Sequence, residues 1–375
     1  MTQSNFFDAI GVADMEKVHS AVIGWMLSDK CDAFGTETKG RRIRSDLLQK
    51  IFGFKEDFEE FDQIDSYVEW KNIDILVVTV KGKEKKCWVI ENKIKSSQHS
   101  NQLDRYVEII RQSFPRCEQK YCFLTLINEE PQVGDNVRWE SCTYSQLKDY
   151  VVLPLDCQKN KDYPFVVEYK ECVSRLSSAL SEFINNPQGY RNVFEDGSKK
   201  KESKSSKGMG ETAKYICDNG LETIFQKCFL SHIVPEEIKK RDSYRIGETF
   251  GTALVEYHYA ESKEAVLAFQ FQNGTFKIQV SRPNPKKRDN SAETSFQTTW
   301  GGILKQYCQD GWSLNHQKKN NPPYYSLSSS LVFWSNTDHS AEIDWFDKDI
   351  GFIKKQWATA HAKCEEILKI LAGKL

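Results

Sequence analysis

Up to about residue 190 the apolar positions alternate between a helical period and short, nearly continuous runs. Over 13–27 the apolar side chains at 15, 18, 22, 23, 26 and 27 share one helical face, and a second helix is expected over 44–52. Residues 67–70 and 73–80 read as strands. The second is an almost unbroken β-branched run, the pattern of a sheet covered on both faces. KGKEKK at 81–86 reads as a polar turn, and 87–94 returns as another strand. A helix over 98–114 stops before Pro115, 121–127 is a further buried strand, a short strand ends at Tyr144, and 164–184 is a long amphipathic helix. This alternation predicts an α/β module.

Residues 195–210, EDGSKKKESKSSKGMG, break the pattern: five lysines interleave with Ser and Gly and no aliphatic side chain precedes Met209. Such a stretch lacks the apolar surface to order itself and reads as a flexible linker. Beyond it, 211–229 and 341–371 read as helices, with strands over 249–259, 265–272, 276–281 and 326–334 between them, an α+β arrangement. The expected organisation is therefore a domain over 1–194, a linker over 195–210 and an accessory domain over 211–375. Trp300, Trp312, Trp334, Trp345 and Trp357 crowd this last part. At that density aromatic side chains build core more often than a stacking surface for bases.

Composition narrows the function classes. Lys and Arg number 52 against 53 Asp and Glu, so the formal charge is −1 and the chain is neither a basic nucleic-acid wrapper nor an acidic tail protein. Contact with nucleic acid has to come from a local patch, such as the lysine-rich 81–95 hairpin or the RPNPKKR loop at 282–288. The 11 cysteines show no CxxC spacing, which points to reduced thiols rather than a disulfide or zinc scaffold. The start, MTQSNFFDAIG, has no basic segment followed by an apolar one, and no apolar run reaches the ~18 residues that span a bilayer. A cytoplasmic protein without membrane contact is expected. No GxxxxGK[ST], HExxH or GxSxG motif occurs.

The residues that carry chemistry are Asp74, Glu91 and Lys93. If 74–80 and 87–93 form a hairpin around 81–86, paired numbers sum to 167, Asp74 faces Lys93 and Glu91 faces Leu76. Side chains alternate along a strand, so all four share one face, whereas a register one residue different separates Asp74 from the other two. Two carboxylates beside buried aliphatic groups repel each other and lose solvation. A hard divalent cation such as Mg²⁺ relieves both costs, polarises a phosphoryl oxygen and acidifies bound water. Spacing alone equally describes a plain Lys93 ion pair at a sheet rim. Gln102 and Tyr106, four apart on the next helix, share a face, and Glu16 on the first helix offers a third carboxylate with His19 one turn later.

The run IDILVVTVKGKEKKCWVIENKIKSSQHSNQLDRYVEII resembles the core of the PD-(D/E)XK nuclease superfamily, especially the group that combines IENKI with QLxxY. EKVHSAVIGWMLSD and YCFLTLINEEP are similar to that group's first helix and later strand, so the resemblance covers roughly residues 10–180. It implies a restriction-endonuclease-like mixed central sheet flanked by helices. It also implies that Asp74 and Glu91 bind metal, with Lys93 as the catalytic lysine. The resemblance further implies the Ile90 carbonyl as an added metal ligand, Gln102 as a catalytic residue that supports the site, and Glu16 as the helix-borne carboxylate at the metal. Ile73 stands where the superfamily's name has proline.

The resulting expectation is a Mg²⁺-dependent nuclease, with Mn²⁺ as a substitute ion, acting on nucleic acid and on DNA rather than RNA. Host (antiviral) defence is its expected setting, and the C-terminal domain selects the target, regulates access, or carries a protein partner or homo-oligomer contact. The rival reading is a nucleic-acid-binding or sensor module of the same fold that is inactive or gated until a partner binds.

Overall fold

The β-branched run at 73–80 cannot expose either of its faces, and the chain covers both. The computed structural model describes residues 5–35, 37–56, 58–96, 98, 101–134, 137–185, 193, 210–241, 243–249, 252–272, 274–283, 290–308, 312–317, 324–332 and 349–375. The chain divides into two units, one formed by residues 1–181 with 219–221 and the other by 182–218 with 222–375. The expected linker, apart from Gly210, and the basic loop, apart from Arg282 and Pro283, lie outside the described residues, as do Trp334 and Trp345. Among the described residues no helix is long and apolar enough to cross a membrane.

The first unit opens with α1 (Phe6–Ala9), α2 (Glu16–Met26) and α3 (Glu37–Ile51), followed by β1 (Gln63–Trp70), β2 (Ile73–Lys81) and β3 (Glu84–Lys93). Then come α4 (Gln102–Ser113), β4 (Glu118–Thr125), β5 (Glu140–Thr143), α5 (Tyr144–Tyr150) and α6 (Tyr163–Asn185), whose last turn falls in the second unit. The five strands stand in the order β1-β2-β3-β4-β5. The first three run antiparallel, while β3–β4 and β4–β5 are parallel, giving the expected mixed sheet. Parallel neighbours need a crossover, and α4 supplies the one between β3 and β4.

One face of the sheet carries Leu76, Val78, Val89, Tyr121 and Phe123 against Leu103, Tyr106, Val107 and Ile110 of α4. The other face carries Trp88, packed among Phe52, Phe54 and Phe61. There α2 comes close because Gly24 lacks a side chain. A Cβ at that position would stand 2.5 Å from Val68 Cγ2, below any normal carbon contact.

The β2–β3 hairpin corrects the expected register. Strand pairing continues to Lys81↔Glu84 around a two-residue turn in which Gly82 has φ +57°. Two-residue hairpin turns need such positive φ, which glycine adopts without strain. Val77 faces Trp88 and Ile75 faces Ile90, so paired numbers sum to 165 rather than 167. Lys81, Lys85 and Lys86 belong to the strand ends, and only Lys83 lies in the turn.

The second unit holds α7 (Glu211–Asp218), α8 (Glu222–Ile233), α9 (Glu236–Lys239), β6 (Arg245–Thr249), β7 (Thr252–Glu261), β8 (Val266–Gln272) and β9 (Thr275–Ser281). It continues with α10 (Asn290–Lys305), β10 (Trp312–Gln317), β11 (Tyr324–Val332) and α11 (Ile350–Ala372). Its six strands are antiparallel throughout, in the order β10-β11-β9-β8-β7-β6. Phe276, Ile278 and Val280 alternate inward on β9, and Trp357 of α11 meets Phe269 and Phe271 edge-on. The helix expected over 211–229 is two helices, because Gly220, at φ +61°, ends the first.

Candidate active site

The shift of two residues in the hairpin leaves every side chain on its expected face and changes only its partner. Continuing the register one step past Ile75↔Ile90 sets Asp74 directly against Glu91, with Lys93 one alternation further along β3. Asp74 Oδ2 accepts the backbone N–H of Asn92 at 2.8 Å. Glu91 is fully buried and Lys93 only 6% exposed. Lys93 Nζ stands 2.6 Å from Glu91 Oε1 as an ion pair, yet neither oxygen of Glu91 has an aligned hydrogen-bond donor.

Electrostatics make this an unfavourable arrangement for a protein alone. Burial raises Asp74 above its ordinary value, although Asn92 and Lys93 pull against the shift. Burial first, and then the Asp74 charge, push Glu91 up to about 8. Burial opposes the charge on Lys93, but Glu91, Glu16 and Asp74 together hold its ammonium above the usual lysine value. Two facing carboxylates, one of them fully buried, that share a single ammonium are the groups that a bound cation satisfies.

Glu16, at the first turn of α2, has a different set of partners. Its Oε1 accepts the backbone N–H groups of Ile94 (2.9 Å), Lys95 (3.0 Å) and Ser96 (2.9 Å), and both oxygens accept from the Ser96 hydroxyl at 3.0 Å. It therefore latches the segment that leaves β3. Burial alone would raise its pKa, but these donors and Lys93 bring it below the ordinary carboxylate range. His19 stands apart from the carboxylates: Nε2 donates to the Ala13 carbonyl at 2.8 Å and Nδ1 meets Tyr169 Oη at 3.1 Å. Among the described residues no three or more His, Cys, Asp or Glu side chains form a cluster suited to a metal ion.

Gln102 and Tyr106 are buried and bonded to each other. Gln102 Nε2 donates to Tyr106 Oη at 2.7 Å, and that hydroxyl donates to the Asn72 carbonyl at 2.6 Å, just before Asp74. Burial and the nearby Glu91 charge raise the phenol well above its usual value. Ile90 pairs with Ile75 on one side and Cys122 on the other, within the ladder on both edges.

Sequence reasoning passed over Asn92. Its side chain lies on the opposite face from Glu91 and Lys93, donating to the Glu16 carbonyl and Ser20 Oγ, both at 3.0 Å, and accepting from Tyr144 Oη at 2.6 Å. A lone amide within an apolar strand was the available signal. The expected cationic hairpin is corrected as well. Lys81, Lys83, Lys85 and Lys86 gather at the turn end, about 23 Å along the strands from Asp74, where Lys81 and Lys86 pair with Glu59.

The mixed five-stranded sheet thus brings two carboxylates and a lysine together on one face. A family model described as the PD-(D/E)XK nuclease superfamily matches residues 4–187, and over that span the chain belongs to this superfamily. Its members are in general phosphodiester hydrolases that use divalent metal ions. No curated protein matches the chain.

Proposed function

We propose that residues 1–194 form a Mg²⁺-dependent nuclease that hydrolyses phosphodiester bonds in nucleic acid, DNA in preference to RNA, with 195–210 as a tether and 211–375 as an accessory domain that selects or regulates. The observation that carries this reading is Glu91: fully buried, set against Asp74, with neither oxygen given an aligned donor. Asp74 and Glu91 would hold the ion, with the Ile90 carbonyl as a further ligand. The bound cation would polarise the phosphoryl oxygen and acidify a water. Lys93 binds and neutralises the charge that grows on the phosphate. With Asp74 and Glu91 committed to an ion, Glu16 would still face the Lys93 ammonium, which would be placed to orient the attacking water. Gln102 and Tyr106 fix the backbone at Asn72, which sets where Asp74 begins. Glu16 holds the chain beyond Lys93 and so orients the ammonium. Host defence is the proposed setting, by analogy with where such enzymes serve.

The test is cleavage of double- and single-stranded DNA and of RNA by the purified full chain, with Mg²⁺ or Mn²⁺ and then with chelator. Metal-dependent cutting of DNA, lost in Asp74→Ala and Lys93→Ala, is expected. Intact substrates under every condition would remove the enzymatic reading. A second reading, a gated module, draws on the commitment of Glu16 to residues 94–96. It predicts metal and nucleic-acid binding without cutting by the chain alone.

A further inference from the structure

β5 is shorter than its neighbour. The β4–β5 ladder covers only Cys122–Thr125, so Glu118–Tyr121 of β4 have no strand partner on that side among the described residues. A cleft of about 500 Å³ occupies this notch, within the size range of small-molecule sites. Trp88 pairs with Lys120, and Glu91 with Phe123, so the notch sits about 10 Å down the sheet from the carboxylates.

Its wall combines two kinds of group. Phe54 supplies exposed aromatic surface, while Tyr121 is buried behind the cleft against Trp139, and Arg111, Lys120 and Arg138 supply charge against a single carboxylate, Glu140. Phe54 is 37% exposed, braced by Trp88 at 6.0 Å with Lys120 Nζ 6.0 Å from its ring centre. Arg138 grips Glu140 through two contacts, Nε–Oε1 at 2.7 Å and Nη2–Oε2 at 3.2 Å, which consumes the one negative group in the wall. Arg111 and Lys120 pair with Glu108 and Glu118 at 3.2 and 2.8 Å, and all four side chains are well exposed. Exposed pairs of this kind contribute little, so a phosphate competes with them readily. A flat apolar wall with cations around it matches a planar base joined to a phosphate.

We propose that this notch binds one nucleotide, its base against Phe54 and its phosphate on Arg111, Lys120 and Arg138. The nucleotide comes either free, as an effector, or as one unit of a single strand held away from the cleavage site.

The full-length protein, kept in chelator so that the carboxylate site is silent, is titrated calorimetrically with AMP, ATP and GTP, with a short oligothymidylate, and with tripolyphosphate. Saturable nucleotide binding is expected, weakened about tenfold or more by Lys120→Glu and by Arg138→Glu. Phe54→Ala should weaken nucleotides and leave tripolyphosphate unchanged, with circular dichroism confirming that each variant is folded. Binding of free nucleotides identifies an effector, and binding of the oligonucleotide alone identifies a strand. No saturable binding, tripolyphosphate as tight as nucleotide, or affinities indifferent to all three substitutions would overturn the proposal.

Discussion

Asp74 Oδ2 and the backbone amide of Asn92 are joined across two strands at 2.8 Å, and this bond holds the β2 carboxylate against Glu91. The pair is held together against its own repulsion. Asp74→Asn retains an acceptor for Asn92 and removes one of two crowded charges. It should abolish cleavage, by about a hundredfold or more, while leaving metal-free stability equal or about 1 kcal/mol higher. Thermal unfolding in chelator, set beside a cleavage assay, checks both halves. A clear fall in melting temperature would contradict the repulsion.

Glu16 predicts a different outcome from a metal-binding carboxylate. Glu16→Ala leaves the amides of Ile94, Lys95 and Ser96 without their common acceptor. A loss of about 2–4 kcal/mol follows from stranding buried donors of a charge-assisted cluster. Hydrogen exchange should speed up at residues 94–96 even in chelator, where a residue serving only as a metal ligand would show no change.

Tyr106→Phe removes one hydroxyl and thereby two bonds, from Gln102 and to the Asn72 carbonyl. We expect about 1–2 kcal/mol of destabilisation and a drop in cleavage rate at unchanged metal affinity, read from rate against metal concentration. A rise in the metal requirement would instead place the phenol at the ion.

Two buried histidines set the response to acid. Burial lowers both His19 and His361 to about 4, against roughly 6.5 in an unfolded chain. Below about pH 6.5 only the unfolded state takes up their protons, so stability is full above that value and falls as pH drops towards 4. Each contributes at most about 3 kcal/mol across that window. His361 also faces Glu365 and Glu237, which favour its protonation, and Arg241, which opposes it. Glu91, raised to about 8, works in the opposite sense over the same range, so the test is a difference: His361→Gln should lose less stability than the parent chain between about pH 7 and pH 5, and an equal loss in both would contradict this.

Much of the first unit was readable because its signals are local and redundant. The unbroken run at 73–80 could only be a buried strand, and the apolar stripe of Leu103, Val107 and Ile110 fixed both the helix and its inward face. The exact register was not readable. It depended on whether Gly82 and Lys83 alone make the turn, and six polar residues at 81–86 look like a loop until Gly82's positive φ is seen. Glu16 was visible as a candidate but not its partners, because backbone amides have no sequence signature. The short strands β6 and β10 are too polar or too brief to announce themselves, whereas β5 answers to the short strand expected to end at Tyr144. The stop at Asn219–Gly220 was a legible signal that the long apolar run on either side obscured.

Parity, more than pairing, protects the face that carries Asp74, Glu91 and Lys93. Sliding β3 past β2 by two residues keeps Asp74, Glu91 and Lys93 together, whereas a one-residue slip sends Glu91 and Lys93 to the α2 side and brings Asn92 round in their place. Insertions or deletions within β3 ahead of Glu91 are therefore tolerable only in even numbers. Descendants of this domain are free to lengthen or shorten the hairpin, provided that each change comes as a couple of residues and never as one.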